Sequence, residues 1–172
     1  MPRSLADGHE KIIILTEEPL DPESPTLTEL AAGIDAAPNI LASDWQFSAT
    51  DSETFSERAV AEDSNANAFG VSNYQFGMTV FREFDETTGA ADPAADTLFA
   101  AVKAKGTRIW VYSRKTGKKS TDALAATDEI RLGAEVLVDN PQEPSDAGGY
   151  IKARVPGQVQ KAWPNITVAA GA

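Results

Sequence analysis

Residues 71–114, VSNYQFGMTVFREFDETTGAADPAADTLFAAVKAKGTRIWVYSR, decide the fold class. Tyr74, Phe76, Met78 and Val80 alternate with Asn73, Gln75, Gly77 and Thr79. That is the period-2 pattern of a half-buried strand. A helix is predicted next, with Asp92 as N-cap, Pro93 at the first helical position and Gly106 just past the end. Its Ala95, Leu98, Phe99 and Val102 share one apolar face, which must lie on something. Thr107 to Tyr112 return as a strand. Strand, helix and strand together predict a small β-rich domain with one helix packed against its sheet.

Working outward, Met1–Glu10 is polar, holds the only histidine, His9, and is expected to be a flexible arm. Residues 11–172 then form a single domain. Lys11–Leu15 is an Ile-rich strand, and the Pro-rich, acidic Glu17–Pro25 is expected to be an exposed loop. Thr26 and Glu29 have the spacing of a capping box for a short helix over Thr26–Ala32, which Gly33 ends. Ala36–Leu41 is an extended approach to a strand over Trp45–Thr50, and Thr54–Val60 is a further strand. Glu62–Phe69 and Thr121–Asp128 are predicted loops, with a basic hairpin around Gly117 between the strand ending at Arg114 and the second loop. Ile130–Val138 is a strand with a bulge expected at Gly133. Asn140–Gly149 is a third long loop, and Tyr150–Val159 and Asn165–Ala169 are the last strands. Several of these loops exceed the usual median of about 4–6 residues, a length associated with function.

Composition narrows the function classes. The chain has 172 residues, no cysteine and 26 Asp plus Glu against 15 Lys plus Arg, a net charge of -11. Disulfides, thiolate catalysis and cysteine-ligated zinc are excluded. No apolar run approaches the roughly 20 residues of a membrane span, and the N-terminus lacks a signal-peptide pattern. So acidic a surface repels nucleic-acid phosphate.

The motifs that suggest chemistry fail on inspection. Asp63, Asn65 and Asn67 imitate a calcium loop, but Ala68 stands where its Gly belongs and Tyr74 where its Glu belongs. Gly117-Lys118-Lys119-Ser120 lacks the earlier glycine of a phosphate loop, Tyr112 standing there, and Lys119 occupies the Ser/Thr position. The Asn165-Ile166-Thr167 sequon means little without a secretory signal. One histidine near a mobile terminus is poorly placed for nucleophilic catalysis. Acidic pairs such as Glu17–Glu18 and Asp51–Glu53 are ordinary solvated loop charges in such a chain. No catalytic residue, cofactor or metal site is expected.

The order of elements resembles the major tail proteins, or tail tube proteins, of long-tailed siphovirus bacteriophages, especially those of actinobacteria. The resemblance is carried by Pro25–Asp35 behind an N-terminal apolar strand, by the long strand ending in Phe81-Arg82-Glu83-Phe84, by the acidic turn and helix Asp92–Gly106, and by the strand Thr107–Arg114. It implies a mainly β fold, a β-sandwich or partly closed barrel, with one flanking helix and long loops. It also implies a homo-oligomer: hexameric rings stacked into a tube that conducts genomic DNA during ejection, without binding it specifically. Expected partners are other tail proteins such as the tape measure and tail terminator, and the expected location is the virion tail, assembled in the host cytoplasm, with no membrane contact. The family has no catalytic residues. In that frame Glu53, Glu57 and Glu83 are candidate lumen acids, and Arg114, Lys115, Lys118 and Lys119 a candidate inter-ring basic loop. The competing expectation is a β-rich capsid decoration protein or tail-tip adhesin module.

Overall fold

The computed structural model describes residues 5–145 and 148–171; residues 1–4 of the expected arm and 146–147 of the third loop lie outside them. The strands are β1 (Glu10–Leu15), β2 (Ile34–Asp35), β3 (Gln46–Thr50), β4 (Thr54–Glu57), β5 (Ala66–Phe69), β6 (Asn73–Phe81), β7 (Arg108–Lys115), β8 (Glu129–Val138) and β9 (Lys152–Thr167). Two short helices accompany them, α1 (Leu27–Ala32) and α2 (Thr97–Val102). Strands hold 42% of the residues and helices 11%, so the fold is mainly β.

Seven strands form one antiparallel sheet in the order β2-β1-β7-β8-β9-β6-β3, and β4 and β5 form a separate two-stranded ribbon. The sheet curls. Trp45, just before β3, donates its indole N–H to Glu10 of β1 at 2.9 Å. Arg131 of β8 donates to the Phe47 carbonyl of β3 at 2.8 Å. The two edges approach but do not pair, so the barrel is not closed.

Alternation along β1 and β7 sends side chains to both faces. Ile12, Ile14, Ile109 and Val111 join Met78, Val80, Val136 and Val155 in the main core, covered by Leu98 and Val102 of α2. Ile13, Leu15, Trp110 and Tyr112 form a second core beneath Leu30 of α1 and Val168. The capping box of α1 is complete: Thr26 Oγ1 accepts from the Glu29 N–H, and the Glu29 carboxylate accepts from the Thr26 N–H. Gly33 ends that helix with an extended backbone, not a left-handed one. What excludes a side chain there is space, since a Cβ would lie 2.6 Å from Ile13 Cγ2.

Other elements differ from the sequence expectation. β6 is buried on both sides in its second half, because Thr79 is covered by the 42–46 segment and donates to Asp44. The predicted 92–105 helix contracts to α2. Asp92 instead caps a turn, accepting from the N–H groups of Ala94 and Ala95, and Asp96 is drawn away to pair with Arg82. Gly106 does adopt the left-handed conformation, with φ 85°. Residues 66–69 of the expected polar loop are β5, and β4 stops at Glu57. Ala37–Asn39 is a 3-10 turn, not extended chain. Within 17–25, Pro19 and Pro25 are buried and the Tyr112 hydroxyl donates to the Pro22 carbonyl at 3.1 Å, which straps this segment onto the second core. The strand irregularity falls between Glu135 and Val136. Gly133 is instead the seat of the Tyr112 ring, only 2.7 Å from where its Cβ would be. The two last strands are one, β9.

Antiparallel order gives the sheet two ends. At one stand the β4–β5 ribbon, the 116–128 loop and the start of β1. At the other stand the turn after β6 and the 139–151 segment. A nine-residue strand such as β6 separates them by about 30 Å.

Candidate functional site

The basic segment begins at the end of β7, where the strand runs out of the core. Arg114 does not reach solvent: its side chain is 1% exposed. Its guanidinium donates to the carbonyls of Lys119 (2.6 Å), Ala123 (3.1 Å) and Asp122 (3.2 Å), and to the Asp128 carboxylate at 3.3 Å. Five-donor fork geometry suits one side chain to hold a loop in this way. Lys118 also pairs with Asp128. Burial pushes the Asp128 carboxyl up, but its bonds with Lys118, the Ala125 N–H and Arg114 outweigh that and hold it below the ordinary carboxylate range. Lys115 pairs with Glu10 at 3.2 Å, and Lys119 is exposed on the same loop. The structure therefore splits the four basic residues: Arg114 serves its own fold, and the three lysines line the outer surface of the loop.

Glu10 anchors the curl. It accepts from Trp45, from Ser113 at 2.8 Å and from Lys115, and lies 3.5 Å from Arg131. Burial favours its neutral form, yet these donors prevail and its pKa is lowered. A carboxylate so committed is a structural anion rather than a general acid. It borders a cleft of about 660 Å³ between the sheet edges, lined also by Ile12, Asp35, Pro38 and Trp45. His9 lies outside that lining; its Nδ1 is 2.8 Å from the Asp7 carbonyl.

The three candidate lumen acids are not brought together. Glu53 and Glu57 sit at the base and on β4 of the ribbon, and Glu83 lies beyond the far end of β6. All three are exposed. Glu83 donates its N–H to Asp96, and its carbonyl accepts from Asp92.

The most unusual surface is one the sequence pattern did not single out. Every residue of β4 and β5 is exposed. Phe55, Val60, Phe69 and Val71 are large apolar side chains in water, Phe69 being 85% exposed. The Phe55 ring lies over Gly70, so it fills the space a side chain there would need. An isolated two-stranded ribbon is marginally stable at best in water. Further large apolar side chains are exposed at the opposite end of the sheet: Tyr150 (83% exposed), Ile151 and, in part, Phe84. Tyr150 lies edge-on to Phe81 at 5.9 Å, and separately the Arg82 guanidinium lies over the rings of Phe84 and Phe99. The signal available in the sequence was Phe69-Gly70-Val71 and Tyr150-Ile151, apolar clusters at the margins of polar loops.

Exposed apolar side chains at two separated places are surfaces suited to contact with other protein. The family model of the phage tail tube protein matches residues 1–172, and the chain belongs to that family. It is a structural protein of the bacteriophage virion tail. No curated protein matches it. Among the described residues no helix is long and apolar enough to cross a membrane.

Proposed function

We propose that this chain forms hexameric rings that stack into the tail tube of a siphovirus, and that the tube conducts genomic DNA during ejection. The observation that carries this is the β4–β5 ribbon. It is a two-stranded element with both faces exposed and two phenylalanines in water, and it needs another surface to be stable. In a homo-oligomer that surface is a further copy. Joining of sheet edges within a ring removes the unpaired backbone at β3 that would otherwise invite uncontrolled pairing. Tape measure and terminator proteins are the partners inside and at the end of such a tube, and the host cytoplasm is where it assembles.

Net charge supports passage without binding. DNA carries one charge per ~1.7 Å of duplex, and each Lys or Arg on the wall would hold it. Glu53, Glu57 and Glu83 remain the candidate wall acids, whose repulsion acts over about 8 Å at physiological salt. Lys115, Lys118 and Lys119 are candidate cations for inter-ring contact. The test is negative-stain microscopy with light scattering over rising protein concentration. Rings or tubes are expected; a chain that remains monomeric at high concentration and is absent from virions overturns the proposal. Replacing Glu53, Glu57 and Glu83 with Lys is expected to slow genome ejection from assembled particles. Unchanged ejection removes these acids from the wall.

A further inference from the structure

We propose that Arg131 guards the free edge of β3 in the isolated subunit, and that a strand of a second copy must displace it before sheet edges join. This rests on the assembly proposed above and names the contact that holds the edge closed. The ladder shows which backbone groups lie on that edge. The Thr79 carbonyl accepts from the Leu41 N–H on the β3 side of β6, and the Arg82 N–H donates to the Ile151 carbonyl on the β9 side. Successive residues of a strand turn their backbone groups to opposite sides. Odd-numbered residues of β6 therefore face β3, and even-numbered ones, Phe76 among them, face β9. Phe47 is the partner of Phe76. Since Phe76 turns away from it, Phe47 turns both its N–H and its carbonyl out to the free edge, and Ala49 does the same.

That outward carbonyl is already taken. Arg131 Nη2 donates to it at 2.8 Å from across the curl, and lies 3.3 Å from Ser113 Oγ and 3.5 Å from the Glu10 carboxylate. A strand adding to β3 needs the same acceptor for its ladder, so it competes with Arg131 for one atom. The chain departs from regular strand geometry where Arg131 sits. Ile130 and Leu132, on either side of it in β8, belong to different cores, against strict alternation. Asn165, opposite Arg131 between the Ile130–Ile166 and Leu132–Pro164 pairs, has φ 54°, an uncommon left-handed backbone. The hold is also releasable. The Arg131 side chain is 34% exposed, while its buried Nε has no hydrogen-bond partner among the described residues. An unsatisfied buried donor disfavours the guarded arrangement, and displacement lets that N–H reach water.

Arg131→Met keeps the apolar stem and removes every donor. It is expected to lower the critical concentration for assembly by about tenfold, the scale of one hydrogen bond to a charged group, and to shorten the lag. Light scattering over a concentration series reads both. A residue that only braced the fold would act the other way, because a loosened subunit assembles less readily. An unchanged or raised critical concentration therefore overturns the guard. Should Arg131→Met fold poorly, Arg131→Lys keeps the charge, loses the fork and is expected to lower the critical concentration about threefold; no fall there overturns the guard equally. Ala49→Pro removes an outward N–H that β6 does not use. It is expected to leave urea unfolding of the dilute subunit unchanged and to cancel the gain when combined with Arg131→Met. A double variant that keeps the gain overturns pairing at this edge and leaves the tube standing. A chain that forms no rings or tubes, either as wild type or as Arg131→Met, overturns the assembly as well.

Discussion

β6 and the ribbon that precedes it are separated by three residues and obey opposite rules. In β6, Met78 and Val80 are wholly buried, and in its second half the polar face is covered too. In β5, Phe69 is as apolar as they are and stands in water. Hydrophobicity therefore has two uses in this chain. In the sheet it drives folding of the subunit; in the ribbon, on the assembly proposed above, it is held for a surface of another copy. Substitutions in the two regions should separate stability from assembly, and the predictions run from the largest stability effect to the smallest.

The largest is expected at the basic loop. Arg114→Ala removes a buried guanidinium, leaves three carbonyls without its N–H groups and leaves the Asp128 carboxylate with only Lys118 and the Ala125 N–H. Breaking such a buried pair costs about 3–5 kcal/mol. Urea unfolding of the isolated subunit measures it. A loss below about 1 kcal/mol would show that the 116–128 loop is held by other means.

Gly133→Ala comes next. The new Cβ would meet Tyr112 ring atoms at 2.7 and 2.8 Å and Ile166 at 3.2 Å. Overpacking of this kind costs about 1–3 kcal/mol. Thermal unfolding, together with the near-ultraviolet signal of Tyr112, would report both the loss and the displacement of the ring. A neutral outcome would mean that the second core yields easily at Tyr112.

How legible these features were in sequence follows from the same division. The capping box at Thr26 and Glu29 could be read because local hydrogen bonding fixes its spacing. The alternation of β6 could be read because one face of it is core. β5 could not, because the Ala66–Phe69 stretch buries neither face and so carries no burial period. β9 looked like two strands because Pro156, Gly157 and Pro164 are strand-breaking signals. They are tolerated partly because β9 pairs with β6 only as far as Gly157, and its later residues have one free edge. The Asp92 helix was read too long because its capping pattern is real, while the tertiary demand of Arg82 on Asp96 is invisible in one dimension. Of the site, the basic cluster was visible as composition. Its division into a buried Arg114 and surface lysines depends on where β7 ends.

A smaller effect is expected from acid. Glu10 and Asp128 both have lowered pKa values in the folded chain. Their unfolded forms protonate first, near the ordinary carboxylate values of about 4. The stability they contribute is therefore full above that range and is lost as pH falls through their folded values. The midpoint of thermal unfolding should drop on going below about pH 4, and drop less steeply in Asp128→Asn, which has already lost its part. Equal slopes in the two proteins would place the acid sensitivity elsewhere.

The smallest stability effect and the most telling one belongs to Phe69→Ala. Phe69 pairs with Thr54 in the ribbon, and its side chain is 85% exposed, so the subunit buries little of it. Removing it should change the unfolding free energy of the isolated subunit by no more than about 0.5 kcal/mol, as for other exposed positions. On the assembly proposed above, the same substitution should weaken contact between copies, because the apolar area it deletes would be buried there. The two measurements are made on one protein preparation: chemical denaturation at low concentration, and sedimentation or microscopy at high concentration. Loss of assembly with unchanged stability assigns the ribbon to contact between copies. A loss of several kcal/mol in the dilute subunit would show that Phe69 packs within its own chain after all, and the contrast between ribbon and sheet would disappear.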